Sequence, residues 1–163
     1  MTTPLPTPNS PEWSNSPEWS KWRYDTPAFT LNGMKTCGRV VDIYDADTIK
    51  CVIPVNDNMY KFHIRLYGID SCELKSKIHS NKDLAVQARD RMVELCAGGA
   101  AIPNAFVSRK DIRAFLDENV SLVYLECMDT DKYGRTLANI YNPNCRQRSF
   151  SEILVEEKLA QKL

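Results

Sequence analysis

The sequence predicts an α+β protein, mainly β: a small, strongly twisted five-stranded barrel with two or three helices packed on it. Three observations carry this. Short runs of alternating apolar and polar residues recur between turn signals, on both sides of one helical stretch. The elements follow the order β-β-β-α, a less regular segment, then β-β-α. The chain has 163 residues, 43% hydrophobic and 26% charged, which suits one domain with a single core and a tail.

Residues 1–30 form the tail. They hold six of the nine prolines and all three tryptophans, a composition that cannot build a core and predicts disorder. Within them NSPEWS occurs twice in tandem, at 9–14 and 15–20. An exposed Trp in a Pro-rich strand is a candidate docking motif for a protein partner; an unconstrained duplication is the competing reading.

The folded domain is expected over 36–163. Val40, Asp42 and Tyr44 alternate with Val41 and Ile43; Ile49, Cys51 and Ile53 then alternate with Thr48, Lys50 and Val52. Asn56-Asp57-Asn58 supplies turn chemistry before a third strand with Phe62, Ile64 and Leu66 on one face and Lys61, His63 and Arg65 on the other. Asp83 is a candidate cap for a helix to about Cys96, with Leu84, Ala88, Met92, Val93, Leu95 and Cys96 as its apolar stripe and Gly98-Gly99 ending it. An insertion is expected at about 98–119, where Ser108 and Asp111 resemble a capping box for a short helix; its Arg109, Lys110 and Arg113 read most simply as a solvated face. Strands follow at 120–127 and 135–141. The box Ser149 to Glu152 opens a last helix expected to run to the chain's end.

The 21 basic and 21 acidic residues leave no net charge, which excludes attraction of polyanions by the overall field. Any nucleic-acid site must be local. No apolar stretch is long enough to span a membrane, no secretory signal is seen, and the six cysteines lack a CxxC pair. An intracellular protein, cytoplasmic or nuclear, with free and mostly buried thiols is the expectation.

Strand phase locates the chemistry. Asp47 shares the parity of Ile49, and Asp70 that of Ile64 and Leu66, so both carboxylates are expected on the core side at one barrel mouth. Like charges there are costly unless a hard divalent cation joins them, and Asp45, Glu73 and the Ser71 carbonyl stand near enough in sequence to complete a shell. Arg65 and Arg135 flank the same end. Two guanidiniums beside an acidic metal site suit a phosphate diester under in-line attack.

The blocks GRVVDIYDADTIKC, FHIRLYGIDSCE, DTDKYGRTLANIY and SFSEILVEEKLAQKL together resemble the staphylococcal nuclease family, also called thermonucleases. The resemblance runs from about Gly38 to Leu163. It implies an oligonucleotide/oligosaccharide-binding barrel. It also implies that Asp47 and Asp70 are calcium ligands with Ser71 beside them, and that Glu73 is the general base. Arg65 and Arg135 would be phosphate-binding catalytic residues, with Lys132 and Tyr133 touching a terminal phosphate. The implied activity is calcium-dependent, low-specificity hydrolysis of DNA and RNA, single strands preferred, by a monomer. Cys72 departs from the family, which usually has Pro there. A binding module that keeps the barrel without catalysis, with the Trp-bearing tail as docking arm, is the alternative; the retained Asp47, Arg65, Asp70, Glu73 and Arg135 argue against it.

Overall fold

The alternation described above produces three antiparallel strands in the computed structural model, which describes residues 17–72, 79–99, 102, 106 and 108–163. Strand β1 (Lys35–Asp45) pairs with β2 (Thr48–Val55), and β2 with β3 (Asn58–Leu66). Asn56 and Asp57 sit at φ 49° and 68°, the paired positive values that a tight hairpin with right-handed twist requires. Beyond β3 come a short β4 (Ile69–Ser71), helix α1 (His79–Cys96), helix α2 (Arg109–Glu118), β5 (Leu122–Thr130), β6 (Thr136–Tyr141), helix α3 (Phe150–Glu156) and β7 (Ala160–Lys162).

Five strands close into a barrel in the order β1-β2-β3-β6-β5. Closure comes from a parallel pairing, with Ile64, Arg65 and Leu66 opposite Thr136, Leu137 and Ala138. No barrel edge is left for another chain to extend. The inward positions Val40, Ile43, Ile49, Cys51, Ile53, Ile64, Val123, Leu125 and Ile140 are fully or almost fully buried. At Gly38 a β-carbon would lie 2.8 Å from Leu125 Cδ1 and 3.2 Å from the Val52 carbonyl oxygen, so a larger residue there would force the Leu125 side chain to shift.

Three sequence expectations change. Helix α1 begins at His79, so Asp83 lies within it and does not cap it. Its buried residues include Ala88, Met92, Val93 and Cys96, as the stripe predicts. Helix α2 keeps the expected Ser108–Asp111 capping box, buries Ile112 and Leu116 against β1 and leaves Lys110 and Arg113 exposed, but Arg109 and Arg113 are not simply solvated: both reach Asp42 on β1. Helix α3 is capped by Ser149 but stops at Glu156. Lys158 then adopts a left-handed φ of 62°, and the chain turns back as β7 to pair with β4. Of the tail, the first NSPEWS copy and the first two residues of the second lie outside the described residues; Pro17–Lys21 form a 3-10 turn. Among the described residues no helix is long and apolar enough to cross a membrane.

Candidate functional site

The Ala46-Asp47 turn between β1 and β2 delivers Asp47 to the base of β4. Asp47 is 6% exposed. Its Oδ1 accepts from the Thr48 hydroxyl at 2.9 Å, and its Oδ2 from the Ser71 backbone N–H at 2.8 Å, with Arg65 Nη1 3.3 Å from the same oxygen. Its carbonyl accepts from Leu66 N–H at 2.9 Å. A single residue thus fastens three chain segments together.

Arg65, near the end of β3, is the common partner of both expected aspartates: its Nη2 lies 3.3 Å from Asp70 Oδ1. Asp70 does not point to the core. Its side chain is 62% exposed. The parity argument fails because the Tyr67-Gly68 turn, with Gly68 at φ 80°, interrupts the strand before β4 and resets its phase. Ile69 and Ser71 take the inward positions instead. Ser71 Oγ is buried without a hydrogen-bond partner among the described residues. Glu73 lies outside the described residues.

Asp47, Asp70 and Ser71 offer hard oxygens of the kind calcium and magnesium take, but Asp70 faces solvent while Ser71 Oγ is buried on the opposite side of β4. The unsatisfied Ser71 oxygen beside Asp47 is consistent with a site that accepts a further group. Among the described residues no three His, Cys, Asp or Glu side chains gather closely enough to hold a metal.

The other half of the site is the β5–β6 turn. Asp131 organises it: Oδ1 accepts from the backbone N–H groups of Tyr133 and Arg135, both at 2.9 Å, and Oδ2 from Arg135 Nε at 2.7 Å. Burial pushes the Asp131 carboxyl up, but these bonds and the Arg135 charge outweigh it and hold the group below its ordinary range. Gly134 closes the turn at φ 82°. The guanidinium carbon of Arg135 lies 5.4 Å from the Tyr133 ring centroid, and Lys132 Nζ lies 5.1 Å from it. With Nε committed to Asp131, the terminal nitrogens of Arg135 have no hydrogen bond among the described residues.

The parallel β3–β6 pairing joins the halves. It sets Ile64 opposite Thr136, so Arg65 and Arg135 approach the same cavity of about 400 Å³, whose walls also include Tyr67, Asp131, Lys132 and Tyr133. Arg65, Lys132, Tyr133 and Arg135, all singled out from sequence, therefore converge. Asp131 was missed. Its signal is legible in retrospect, since an Asp two and four residues before N–H groups in a Gly-containing turn is the pattern of an Asx-type turn. Leu163 also lines the cavity, because β7 returns the chain to β4.

A sequence model of the family described as "Staphylococcal nuclease homologue" matches residues 63–163. That range covers most of the chain, and with the closed five-stranded barrel it defines the class: this is a nuclease-like fold of the oligonucleotide/oligosaccharide-binding type. The chain belongs to the family of staphylococcal nuclease homologues. The match begins within β3, so the turn bearing Asp45 and Asp47 precedes it. No curated protein matches the sequence.

Proposed function

We propose that the protein is a calcium-dependent nuclease that hydrolyses phosphodiester bonds of DNA and RNA with low sequence specificity, acting as a monomer on single strands. The observation that carries this reading is the double role of Arg65. It salt-bridges Asp47 and Asp70 and lines the cavity shared with Arg135. A pair of guanidiniums at one cavity, one of them bridging to two carboxylates outside its walls, suits the two needs of phosphoryl transfer, a bound cation and charge stabilisation on the equatorial oxygens.

In this reading Arg65 and Arg135 grip the scissile phosphate, and the Arg135 terminal nitrogens supply the hydrogen bonds that strengthen as negative charge builds. Lys132 and Tyr133 hold the adjoining phosphate. Glu73 takes one proton of the attacking water, whose oxygen bonds to phosphorus; the bond from phosphorus to the 5' oxygen breaks, that oxygen leaves as a hydroxyl by taking a proton from solvent, and the phosphate stays on the 3' side. Asp47, Asp70 and the Ser71 carbonyl would hold the cation, which when bound polarises a phosphoryl oxygen. Asp131 is a positioning residue, fixing the direction of Arg135 through Nε.

The test is cleavage of single-stranded DNA and RNA with calcium, with magnesium and with a chelator. Cleavage is expected to need calcium and to fall about 10² to 10³-fold in Arg135→Ala, with a comparable loss in Glu73→Ala. Cleavage that persists in chelator, or a folded wild type that cleaves nothing, overturns the reading.

A further inference from the structure

A second cavity, of about 290 Å³, lies on the outer face of β2 and β3 under the start of α2. Its walls include Asp42, Tyr44, Thr48, Lys50, His63 and Arg109. The mechanism proposed above uses none of these.

Its charge arrangement is unusual. Asp42 is 3% exposed and pairs with Lys50 in the β1–β2 ladder. From α2, Arg109 Nε donates to its two oxygens at 3.0 and 3.1 Å, and a second Arg109 nitrogen also contacts Oδ2. That fork already satisfies a carboxylate. Yet Arg113 Nη2 also lies 3.2 Å from Oδ2, and Lys50 Nζ 3.8 Å from it. Three cations thus gather at Asp42, with Asp45 adding a second negative charge near Arg109 and His63 facing Lys50 across β2–β3. Docking α2 needs one arginine. Lys50 and Arg113 bring more positive charge than Asp42 and Asp45 offset, and a visiting anion would offset the remainder.

The location says which anion. On the outward face of β2–β3 the cross-strand pairs run Thr48 with Arg65, Lys50 with His63, and Val52 with Lys61. Arg65 lines the first cavity and Thr48 lines the second. Successive pairs on one face are two residues apart, about 7 Å along the strand, a step of the order of one nucleotide in an extended backbone. The basic row therefore leads along the sheet from the Arg65/Arg135 cavity to the second cavity, a path open to a polynucleotide strand. Arg109 also lies over the Tyr44 ring, its guanidinium carbon 5.0 Å from the centroid. This gives the cavity an aromatic wall beside the cations.

We infer that this second cavity is a backbone-phosphate subsite for the same single strand, with α2 as its outer wall. The inference rests on the nuclease reading for the direction of the strand but not for the binding itself. The segment expected from sequence to be an insertion thereby becomes a substrate-binding element that lengthens the footprint.

The test uses the full chain with both Lys50 and His63 changed to Gln, which leaves the Arg109–Asp42 fork in place, and Lys35→Gln as a control on the far end of β1. Binding of a fluorescent single-stranded 12-mer is measured in chelator at several salt concentrations. In the double variant affinity is expected to fall about tenfold and the salt slope by about 1, with the control like wild type. In calcium, the kcat/KM advantage of the 12-mer over a dinucleotide is expected to shrink by a similar factor. Unchanged binding and slope in the double variant overturn the inference even if wild type cleaves. A wild type that binds the 12-mer through Lys50 and His63 but cleaves nothing overturns the nuclease reading and leaves this one standing. Failure of wild type to bind overturns both.

Discussion

Asp47 accepts the backbone N–H of Ser71 at 2.8 Å, tying the first turn of the barrel to the strand that carries Asp70. Because the carboxylate is buried and also faces Arg65 and the Thr48 hydroxyl, its removal leaves several groups without their partner. Asp47→Ala is expected to lower the unfolding free energy by about 2–4 kcal/mol. Asp47→Asn, which keeps one acceptor oxygen, is expected to cost about half as much. Urea titration followed by fluorescence measures both, and equal stability of Asp47→Ala and wild type would show that the tie is incidental.

The β5–β6 turn should depend on pH through Asp131. Its carboxyl titrates below the ordinary range in the folded chain, because bonds from Arg135 and Tyr133 outweigh the effect of burial. A group with a depressed folded pKa contributes stability above its unfolded value of about 3.9 and loses it as pH falls through the folded value. Arg135 amide protection is therefore expected to be flat from neutrality to about pH 5 and to decline below about pH 4. In Asp131→Asn the amide should be less protected throughout and show a smaller pH response in that window. Hydrogen exchange read by NMR distinguishes the two.

Asp42 anchors α2. Burial pushes its carboxyl up, but hydrogen bonds and charge from Arg109 and Arg113 hold it below the ordinary range, so it too is ionised at neutral pH. Asp42→Asn leaves three cations without their counterion, at a cost of about 2–4 kcal/mol, or a fall in Tm of roughly 5–12 °C for a chain of this size. Adding Arg113→Ser to it should recover part of the loss, since one repelling charge is gone. A calorimetric melt tests both variants; a double variant no more stable than Asp42→Asn alone would show that repulsion is not the cause.

The thiols should react in three tiers. Cys37 and Cys145 are exposed, Cys72 is half-buried, and Cys51, Cys96 and Cys127 are buried. Burial pushes the Cys51 and Cys96 thiols far up and that of Cys127 to about 11. Two equivalents of an aromatic disulfide reagent are expected to be consumed quickly at pH 8, a third slowly, and three only in denaturant.

What could be read from the residues followed from periodicity where the chain is regular. The barrel strands were legible because Ile49, Cys51, Ile53, Ile64 and Leu66 alternate without a break, and their burial agrees. The same rule misplaced Asp70 because parity survives only within one strand, and Gly68 breaks it. Asp83 is a good cap by composition, yet α1 starts four residues earlier. Helix α3 ended early because Lys158 turns left-handed, a conformation that residue type does not advertise. Of the residues singled out from sequence, Arg65, Lys132, Tyr133 and Arg135 line one cavity, whereas Asp47 and Asp70 are not among its walls. It could not reveal that Arg109 and Arg113 reach Asp42, some seventy positions away, since only packing of α2 on β1 creates that pairing.

The pairing of β4 with β7 carries a kinetic consequence. Ile69, Asp70 and Ser71 hydrogen-bond to residues about ninety positions later in the chain, through only three pairs. So short a ladder closing so long a loop gains little per contact and forms after the local hairpins are in place. It is also expected to open in the native state at a free energy well below the one that unfolds the barrel. The segment bearing Asp70 is therefore expected to exchange its amides through small fluctuations while β2 and β3 stay protected. The Asp70 partner of Arg65 would then be the last to take its place and the readiest to leave it.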